Sequence, residues 1–450
     1  MGEYTFPIRP MAHMLDLSQS NINADPASSQ WPSKNQKASS QRIMCRWDHV
    51  VYRTMDPLQV IQHVPVFRAH DGTYWSVILT KTDAAVIVPA KTFRFITKMF
   101  STGTVTAITK PSSNGDSVVT ATGVTFTDPG GPSPGDKFIL DQDLGEEVTA
   151  GVFDGDEDNE QPTTPWAVIK SVGASTLTLT GNYLGTTGAG MTQAFRIRLV
   201  YNVPSGERWQ YASVAGKFCF GNGNDYVQVW DGTGTCTDLN TTYARQARYL
   251  TAFADRLLLA DLLISGNRNP WTMRWSKIGD PTDWTASSAG SKSFIDTEDP
   301  ITGMASAGGM MFIYKKMMYH IAKETTDPTA PIQFIQDQKG TGVWAPAGLI
   351  AFNGTNAFMG LNDFYVIDGD TPVAIGDPIR YKWFNTIADT ELVKVFGCHN
   401  ARYHELVWVA LTSEGQVMIS YDYKEKCWNP YRFDEQDPLA LVTGLGGLVY

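Results

Sequence analysis

A run of carboxylates is the densest group of chemically capable side chains in the sequence. Nine acidic residues and no basic residue lie between Lys137 and Lys170. They are Asp141, Asp143, Glu146, Glu147, Asp154, Asp156, Glu157, Asp158 and Glu160. An EF-hand loop starting at Asp154 would need glycine at its sixth position and glutamate at its twelfth, but Asn159 and Pro165 stand there. We therefore expect Asp154, Asp156, Glu157, Asp158 and Glu160 to form an exposed acidic loop, with calcium binding as the lesser alternative.

No catalytic or metal-binding set is recognisable elsewhere. Of the seven histidines, only His399 and His404 lie close together, and their odd separation points them to opposite faces of a strand. The sequence has no nucleophile elbow, no Walker A loop and no dinucleotide fingerprint with the right flanks. Turn aspartates such as Asp368 and Asp370 could cleave a glycan only if they faced each other across a cleft. We predict no enzymatic activity, no cofactor and no metal.

Cysteine content and charge narrow the class of protein further. The five cysteines are widely spaced and form no C-x-x-C pair, which predicts reduced, mostly buried thiols. The formal net charge of -10 argues against a protein that grips nucleic acid, because such affinity comes from lysine and arginine neutralising phosphates. A conduit through which DNA passes without binding remains compatible with this charge.

Hydropathy predicts neither a membrane span nor a secretory signal. The most apolar run, 257–264, is interrupted by Asp261 and falls short of the ~20 residues that a spanning helix needs. The first residues lack a basic region followed by an apolar one. We expect synthesis and folding in the cytoplasm.

Residues 200–450 contain a loose repeat, which is the main indication of the fold. In one unit, the stretch 217–224 precedes 226–230 and the turn Asp231-Gly232. In a similar unit, the stretch 349–356 precedes 357–360, 364–367 and the turn Asp368-Gly369. Related units start near Tyr249, Ile301 and Val395. Intervals of ~40 to 50 residues are typical of four-stranded blades repeated around an axis. We predict an all-β fold, a β-propeller, with a pair of β-sandwiches as the structural alternative.

Three further segments complete the predicted organisation. Residues 1–42, which are polar and rich in asparagine, serine and proline, predict an extended N-terminal arm that docks on a neighbour, with a flexible chain end as the alternative. Residues 43–101 form the first part of the propeller and include a hairpin of 64–68 with 74–80 around Asp71-Gly72. Residues 102–199 alternate β-branched and polar side chains, which predicts an inserted acidic β-sandwich or barrel. Residues 200–450 are the main part of the propeller.

The segment 273–284 is the sharpest local feature. It contains Arg274, Trp275, Ser276, Gly279, Asp280, Pro281, Asp283 and Trp284. These residue types predict a strand that ends in Arg-Trp-Ser, a turn at Gly-Asp-Pro, and an aspartate cap before Trp284 packs back onto the sheet. The plain interpretation is a well-packed corner of a blade.

This segment resembles a motif in the nozzle or tail stabilisation proteins of short-tailed bacteriophages. The block 102–199 is similar to a β module of the same proteins. Its matching stretches are 118–127, 134–139, 169–172, 176–179 and 183–190. The acidic stretch 141–160 departs from that pattern.

The resemblance implies a structural component of the virion tail. Such a protein forms a homo-oligomeric ring, expected to be a hexamer, at the distal end of the tail. It binds portal and adaptor proteins, is contacted by tail fibres or spikes, and lets double-stranded DNA pass without specific binding. Asp154 to Glu160 would then line an acidic channel that repels phosphates.

Two other classes of function remain open at this stage. A carbohydrate-binding or glycan-cleaving propeller would place Trp230, Trp344 and Trp408 in a cup beside paired carboxylates. An interaction scaffold would instead stay monomeric.

Overall fold

The protein is described here by a computed structural model. It describes residues 61–87, 93–111, 115–128, 130–143, 166–204, 207–239, 242, 246–264, 266–327, 330–339, 341–412 and 415–433, with the short strands Gln36–Ala38, Ile43–Cys45 and Val152–Phe153. The predicted N-terminal arm lies almost wholly outside these residues, apart from Gln36–Ala38, which pairs as β1 with Ile43–Cys45, β2. No helix among the described residues is long and apolar enough to cross a bilayer.

The chain divides into two compact units. The first unit comprises Gln62–Asn269 and Arg274–Gly290, and the second comprises Met1–Ile61, Pro270–Met273 and Ser291–Tyr450. Six sheets of the described residues are the blades of an all-β, six-bladed β-propeller. The predicted propeller is therefore confirmed, and the alternative of two β-sandwiches is not what the chain forms.

Blade 1 contains the predicted hairpin. Its strands are β3 (Ile61–His63), β4 (Val66–Arg68), β5 (Tyr74–Thr80), β6 (Ala84–Ile87) and β7 (Phe93–Phe95). The residues between β4 and β5 favour a tight turn. Gly72 adopts φ +88°, and the Thr73 N–H donates a hydrogen bond to Asp71 Oδ1 at 2.8 Å.

An eight-stranded sheet follows blade 1 in sequence. Its strands are β8 (Met99–Phe100), β9 (Thr104–Thr109), β10 (Val118–Thr122), β11 (Lys137–Leu140), β13 (Ala167–Val172), β14 (Thr176–Leu179), β15 (Gly188–Gln193) and β16 (Phe195–Arg198), in the order β15-β9-β10-β14-β13-β11-β16-β8. A 3-10 turn, Asp141–Asp143, follows β11. The sheet has its own apolar core, which includes Phe126, Phe138 and Phe195. The remaining strand, β12 (Val152–Phe153), pairs instead with β7 of blade 1. The boundaries of an inserted domain stay a prediction.

Blades 2 to 6 each contain four antiparallel strands in sequence order. Blade 2 has β17 (Gln210–Val214), β18 (Lys217–Gly221), β19 (Gln228–Trp230) and β20 (Thr237–Asp238). Blade 3 has β21 (Gln246–Phe253), β22 (Arg256–Ile264), β23 (Asn267–Trp275) and β24 (Gly290–Ser293). Blade 4 has β25 (Ile301–Ala307), β26 (Met310–Lys315), β27 (Met318–Glu324) and β28 (Ile332–Lys339). Blade 5 has β29 (Ile350–Phe352), β30 (Thr355–Met359), β31 (Phe364–Asp368) and β32 (Thr371–Ala374). Blade 6 has β33 (Phe396–Asn400), β34 (Glu405–Thr412), β35 (Gly415–Asp422) and β36 (Cys427–Phe433).

Short helical segments connect the last blades. A 3-10 turn, Pro346–Gly348, precedes blade 5, and two helices, α1 (Arg380–Thr386) and α2 (Asp389–Leu392), join blade 5 to blade 6. A further 3-10 turn, Ala401–Tyr403, joins β33 to β34.

The first hairpin of blades 2 to 5 uses one turn repeatedly. In each blade, the two central residues both adopt positive φ, as a type I′ turn requires. They are Ala215-Gly216, Ala254-Asp255, Gly308-Gly309 and Asn353-Gly354. Because this turn matches the twist of the flanking strands, each pair of residues fixes the register of its blade.

Aromatic side chains fill the spaces between neighbouring blades within each unit. In the first unit, the ring of Phe67 lies 5.7 Å from that of Phe218 and 5.6 Å from that of Trp230. In the second unit, Tyr314 lies 5.0 Å from Phe358. Burying one such side chain stabilises the fold by about 1.5 to 3 kcal/mol, so these contacts hold adjacent blades together.

Candidate functional site

The acidic loop predicted at Asp154, Asp156, Glu157, Asp158 and Glu160 lies outside the described residues. The structure does describe the residues that flank this loop on both sides. β12 ends at Phe153, paired with Phe93 of blade 1, and the ring of Trp166 lies 4.9 Å from the guanidinium of Arg198. The described residues contain no cluster of His, Cys, Asp and Glu that could hold a metal ion.

The segment 273–284 forms a corner that closes with two consecutive aspartate turns. Asp280 Oδ1 accepts hydrogen bonds from the Thr282 N–H at 3.0 Å and the Thr282 hydroxyl at 2.6 Å. Asp283 Oδ1 accepts from the N–H groups of Thr285 and Ala286 at 3.0 and 3.2 Å. These hydrogen bonds from threonine lower the pKa of both carboxyls. The aspartates therefore act as structural caps.

Other residues of the corner anchor it to the first unit. β23 ends at Trp275, and Ser276, which is buried, accepts a hydrogen bond from the Leu257 N–H at 3.0 Å. Gly279 donates its N–H to Asp255 in the first hairpin of blade 3, and Asp280 pairs with Lys217 of blade 2 at 3.5 Å. Trp284 packs into the core of blades 2 and 3. Pro281 is buried and Arg274 is half-buried. The geometry agrees with a packed corner that ties two blades.

The proposed aromatic cup for a glycan is wrong for two of its three members. Trp230 and Trp408 are 1% and 0% exposed, and their indole N–H groups donate to backbone carbonyls of Thr233 and Gly348. Trp344 is half-buried beneath the ammonium of Lys316, 5.2 Å from its ring centre. Trp230 and Trp408 are core residues because their strands are covered on both faces.

The two neighbouring histidines do not point apart as expected. His399 Nε2 and His404 Nδ1 lie 3.2 and 3.3 Å from the same hydroxyl, that of Tyr423. Strand alternation fails here because the chain leaves β33 through the 3-10 turn Ala401–Tyr403, and His404 adopts φ +56°. The arrangement is a hydrogen-bonded cluster around one tyrosine.

The described cysteines agree with the expectation of reduced, mostly buried thiols. Cys219, Cys236 and Cys398 are free and buried, and Cys427 is free and half-buried. Burial raises the pKa of Cys219 to about 12. Such a thiol is a poor nucleophile, since the thiolate is the reactive form.

Sequence reasoning missed a polar network in the first unit, which surrounds residues 198–202. This connector leads from the eight-stranded sheet to blade 2. Three buried or half-buried carboxylates hold every second residue of this connector. Asp83 forms an ion pair with Arg198. Asp136 accepts a hydrogen bond from the Val200 N–H, and Asp225 accepts one from the Asn202 N–H, each at 2.7 Å. The intervening N–H groups of Leu199 and Tyr201 donate to the carbonyls of Lys98 and Thr82. Every residue of the connector is therefore fixed.

The ion pair at the start of the connector is fully buried. Arg198 Nε lies 2.9 Å from Asp83 Oδ1, and their side chains are 2% and 0% exposed. The guanidinium also lies over the ring of Phe95 at 3.9 Å. Lys137 of β11 approaches the same carboxylate at 3.9 Å. The eight-stranded sheet is thus bound to blade 1 by two cations on one buried aspartate.

Asp136 makes the stability of the folded protein depend on pH. Burial raises the pKa of this carboxyl to about 6, with Asp225 and Asp83 adding repulsion. Since the folded pKa lies above the unfolded value of 3.8, the ionised group costs stability at neutral pH, and this cost disappears as the pH falls through about 6 towards 4.

We expect the free energy of unfolding to rise on acidification from pH 7 to 5 by about 1.3 kcal/mol through this carboxyl, and the rest of its contribution to appear only towards pH 4 and below. The Asp136→Asn variant should lack that component, and urea unfolding at a series of pH values measures it. Equal pH profiles for the two proteins would contradict the assignment. The backbone N–H groups of Ser133 and Val200 each donate to a different carboxylate oxygen of Asp136. In the Asp136→Asn variant, the side-chain NH2 group would therefore face one of these two N–H groups.

The sequence held a weak signal for part of this network. Asp136 and Lys137 belong to the Pro-Gly-Asp-Lys stretch that carries the resemblance. Asp83 and Asp225 are single aspartates in loops, and nothing in their neighbours distinguishes them from solvated turn residues.

Comparison with known proteins adds similarity of fold only. No protein-family model and no curated protein matches the chain. Among solved structures, apo AztD from Citrobacter koseri is 10% identical with a TM-score of 0.32, covering 76% of this chain and 84% of its own. The computationally designed Ika8 protein is 11% identical with a TM-score of 0.31, at coverages of 76% and 90%. The Pan2 WD40 domain of Neurospora crassa is 8% identical with a TM-score of 0.32, at 74% and 80%. No function follows from similarities at this level.

Proposed function

We propose that the chain is a structural subunit of a short bacteriophage tail. It would form the distal nozzle ring, a homohexamer that continues the DNA channel below the portal and adaptor proteins. The ring would retain the genome and offer attachment surfaces for fibres or spikes. The subunit is not an enzyme, and its place is the tail of the virion.

One observation carries this proposal. The two sequence segments that resemble tail nozzle proteins both form closely packed parts of the structure. The segment 273–284 is a corner that ties blades 2 and 3 through Ser276, Asp280 and Trp284. The block 102–199 forms the eight-stranded sheet, which buried ion pairs fix to blade 1. A part that must keep its shape while DNA passes under pressure needs connections of this kind.

The charge of the chain supports the same role. With a net charge of -10 and nine carboxylates between Lys137 and Lys170, a ring of subunits would repel the phosphate backbone. DNA could then slide without the counterion-releasing contacts that trap it. We place the acidic stretch at or near the channel.

The proposal predicts assembly into rings. Mass photometry of the purified protein, alone and mixed with the portal and adaptor complex of its phage, should show ring-sized particles in at least one of the two samples. A variant that lacks residues 1–42 serves as control for the arm, and it should dock less well while keeping the fold of the blades. A strict monomer that ignores the complex would remove the nozzle from consideration.

A further inference from the structure

Two imidazole nitrogens and one phenol oxygen lie together at one end of blade 6. Nε2 of His399 is 3.2 Å and Nδ1 of His404 is 3.3 Å from the hydroxyl oxygen of Tyr423. His399 lies on β33, His404 follows the 3-10 turn Ala401–Tyr403, and Tyr423 follows β35. Three separate stretches of the blade therefore each contribute one polar group to the same place.

The separations between these atoms suit hydrogen bonds, and they suit ligands of one metal ion equally well. Zinc lies about 2.0 to 2.2 Å from histidine nitrogens and from oxygen ligands. Two such ligands at octahedral or tetrahedral angles are therefore about 2.9 to 3.5 Å apart. Both nitrogen–oxygen separations, 3.2 and 3.3 Å, fall within this interval. An ion can thus replace the hydrogen bonds with little movement of the side chains.

The chemistry of the three side chains favours a transition metal. Imidazole suits zinc, copper and nickel, whereas magnesium and calcium take oxygen ligands. Burial first, and repulsion by His404 second, lower the pKa of His399. Its imidazole is therefore uncharged at neutral pH, as a metal ligand must be. The third group is a phenol, so the set is not one of the clusters of His, Cys, Asp and Glu that are absent from the described residues.

The surrounding structure holds the three groups in place. The Tyr423 N–H donates to the His404 carbonyl at 3.0 Å. Asp422 Oδ1 accepts hydrogen bonds from two N–H groups of the turn that follows it, each at 2.9 Å. The ring of Phe352 lies 5.3 Å from that of Tyr423 and 5.7 Å from that of His399. Packing and hydrogen bonds of this kind keep ligands near their binding geometry before an ion arrives.

Solvent reaches these groups from the side of His404. The side chain of His404 is exposed, while His399 and Tyr423 are half-buried. An ion can enter from that side, and water can occupy the coordination positions that the three side chains leave open. Three protein ligands with an open position distinguish an accessible site from a closed, four-ligand structural one.

We propose that His399, His404 and Tyr423 form a binding site for a divalent transition-metal ion such as Zn²⁺. The imidazoles bind through Nε2 and Nδ1, the phenol oxygen is the third ligand, and water completes the coordination. A bound ion links β33, the turn after it and the segment after β35, and so stabilises one end of blade 6. The site does not depend on the proposed tail function, because metal binding is measured on the single chain.

Calorimetric titration of Zn²⁺ into the purified protein tests the site. His399→Ala, His404→Ala and Tyr423→Phe should each bind the ion at least about tenfold more weakly than the parent, since even the loss of an outer-shell partner costs about 10- to 100-fold in affinity. Tyr423→Phe keeps the ring that packs on Phe352 and removes only the oxygen. His70→Ala is the matched control, because His70 is exposed on the hairpin of blade 1 and should leave the affinity unchanged.

Measurements on the parent protein keep the test decisive if a variant fails to fold. The electron paramagnetic resonance spectrum of bound Cu²⁺ should show splitting by two imidazole nitrogens. Zn²⁺ should raise the thermal unfolding midpoint, whereas Mg²⁺ at the same concentration should not. The site would be overturned if Zn²⁺ did not bind, if it bound the parent and any folded variant of the three ligands equally tightly, or if the copper spectrum lacked imidazole nitrogen.

Discussion

Replacing Asp83 by alanine is expected to destabilise the first unit by about 3 to 5 kcal/mol, the usual cost of removing one partner from a buried ion pair. Arg198 would keep its charge at 2% exposure with its main counter-ion removed. Lys137, whose ammonium is 3.9 Å from the same carboxylate, would add a second uncompensated cation. Urea unfolding followed by tryptophan fluorescence measures the loss, because Trp166 lies against the Arg198 guanidinium.

A matched control exists in the eight-stranded sheet. Lys170 and Asp116 form an ion pair whose side chains are 60% and 31% exposed, so Asp116→Ala should destabilise the protein much less than Asp83→Ala. A second variant, in which Asp83 and Arg198 are both replaced by apolar residues of similar volume, should recover much of the stability. If Asp83→Ala were no worse than Asp116→Ala, the buried pair would not hold the sheet to the blade.

The blades were predictable because each repeats the same local chemistry. Apolar strands such as those at 310–315 and 406–409 lie at regular intervals, and glycine-containing turns such as Asn353-Gly354 fix the hairpins. Asp71 and Asp231 bond to the threonine two residues later in the same way as Asp280 and Asp283. A short-range signal of this kind is visible in one sequence without an alignment.

The connector was not predictable because its contacts join residues far apart in the chain. Asp83 and Arg198 are separated by more than a hundred positions, and so are Thr80 and Trp209, whose indole N–H donates to the Thr80 carbonyl. Aspartate and threonine are common in solvated turns. Only the packing of the sheet against blades 1 and 2 makes them a network.

The same reasoning explains why a sugar-binding role for tryptophan stayed open as an alternative in the sequence analysis. Aromatic residues serve equally well as sugar platforms and as core, and the choice depends on whether a neighbouring blade covers the strand. Trp408 is covered by Phe364 of blade 5, 4.8 Å away, and by Trp428 of its own blade at 5.7 Å. Sequence alone does not contain that information.

Trp408→Ala is expected to be the most damaging single substitution in the second unit. Its side chain is 0% exposed, its N–H donates to the Gly348 carbonyl at 2.9 Å, and its ring contacts Gly397, where a Cβ would come within 3.1 Å. Truncating such a residue costs about 3 to 5 kcal/mol. Thermal and urea unfolding of the purified variant measure the loss.

Trp408→Phe separates the cost of losing apolar volume from the cost of losing the indole hydrogen bond. It keeps most of the apolar volume and removes the N–H, so it should lose less than the alanine variant while leaving the Gly348 carbonyl unsatisfied. Tyr381→Ala on α1 is the surface control, because Tyr381 is 82% exposed and should change stability by less than about 0.5 kcal/mol. An alanine variant at 408 as stable as the one at 381 would mean that blades 5 and 6 do not depend on this ring, and the burial that excludes Trp408 from a sugar cup would have to be abandoned.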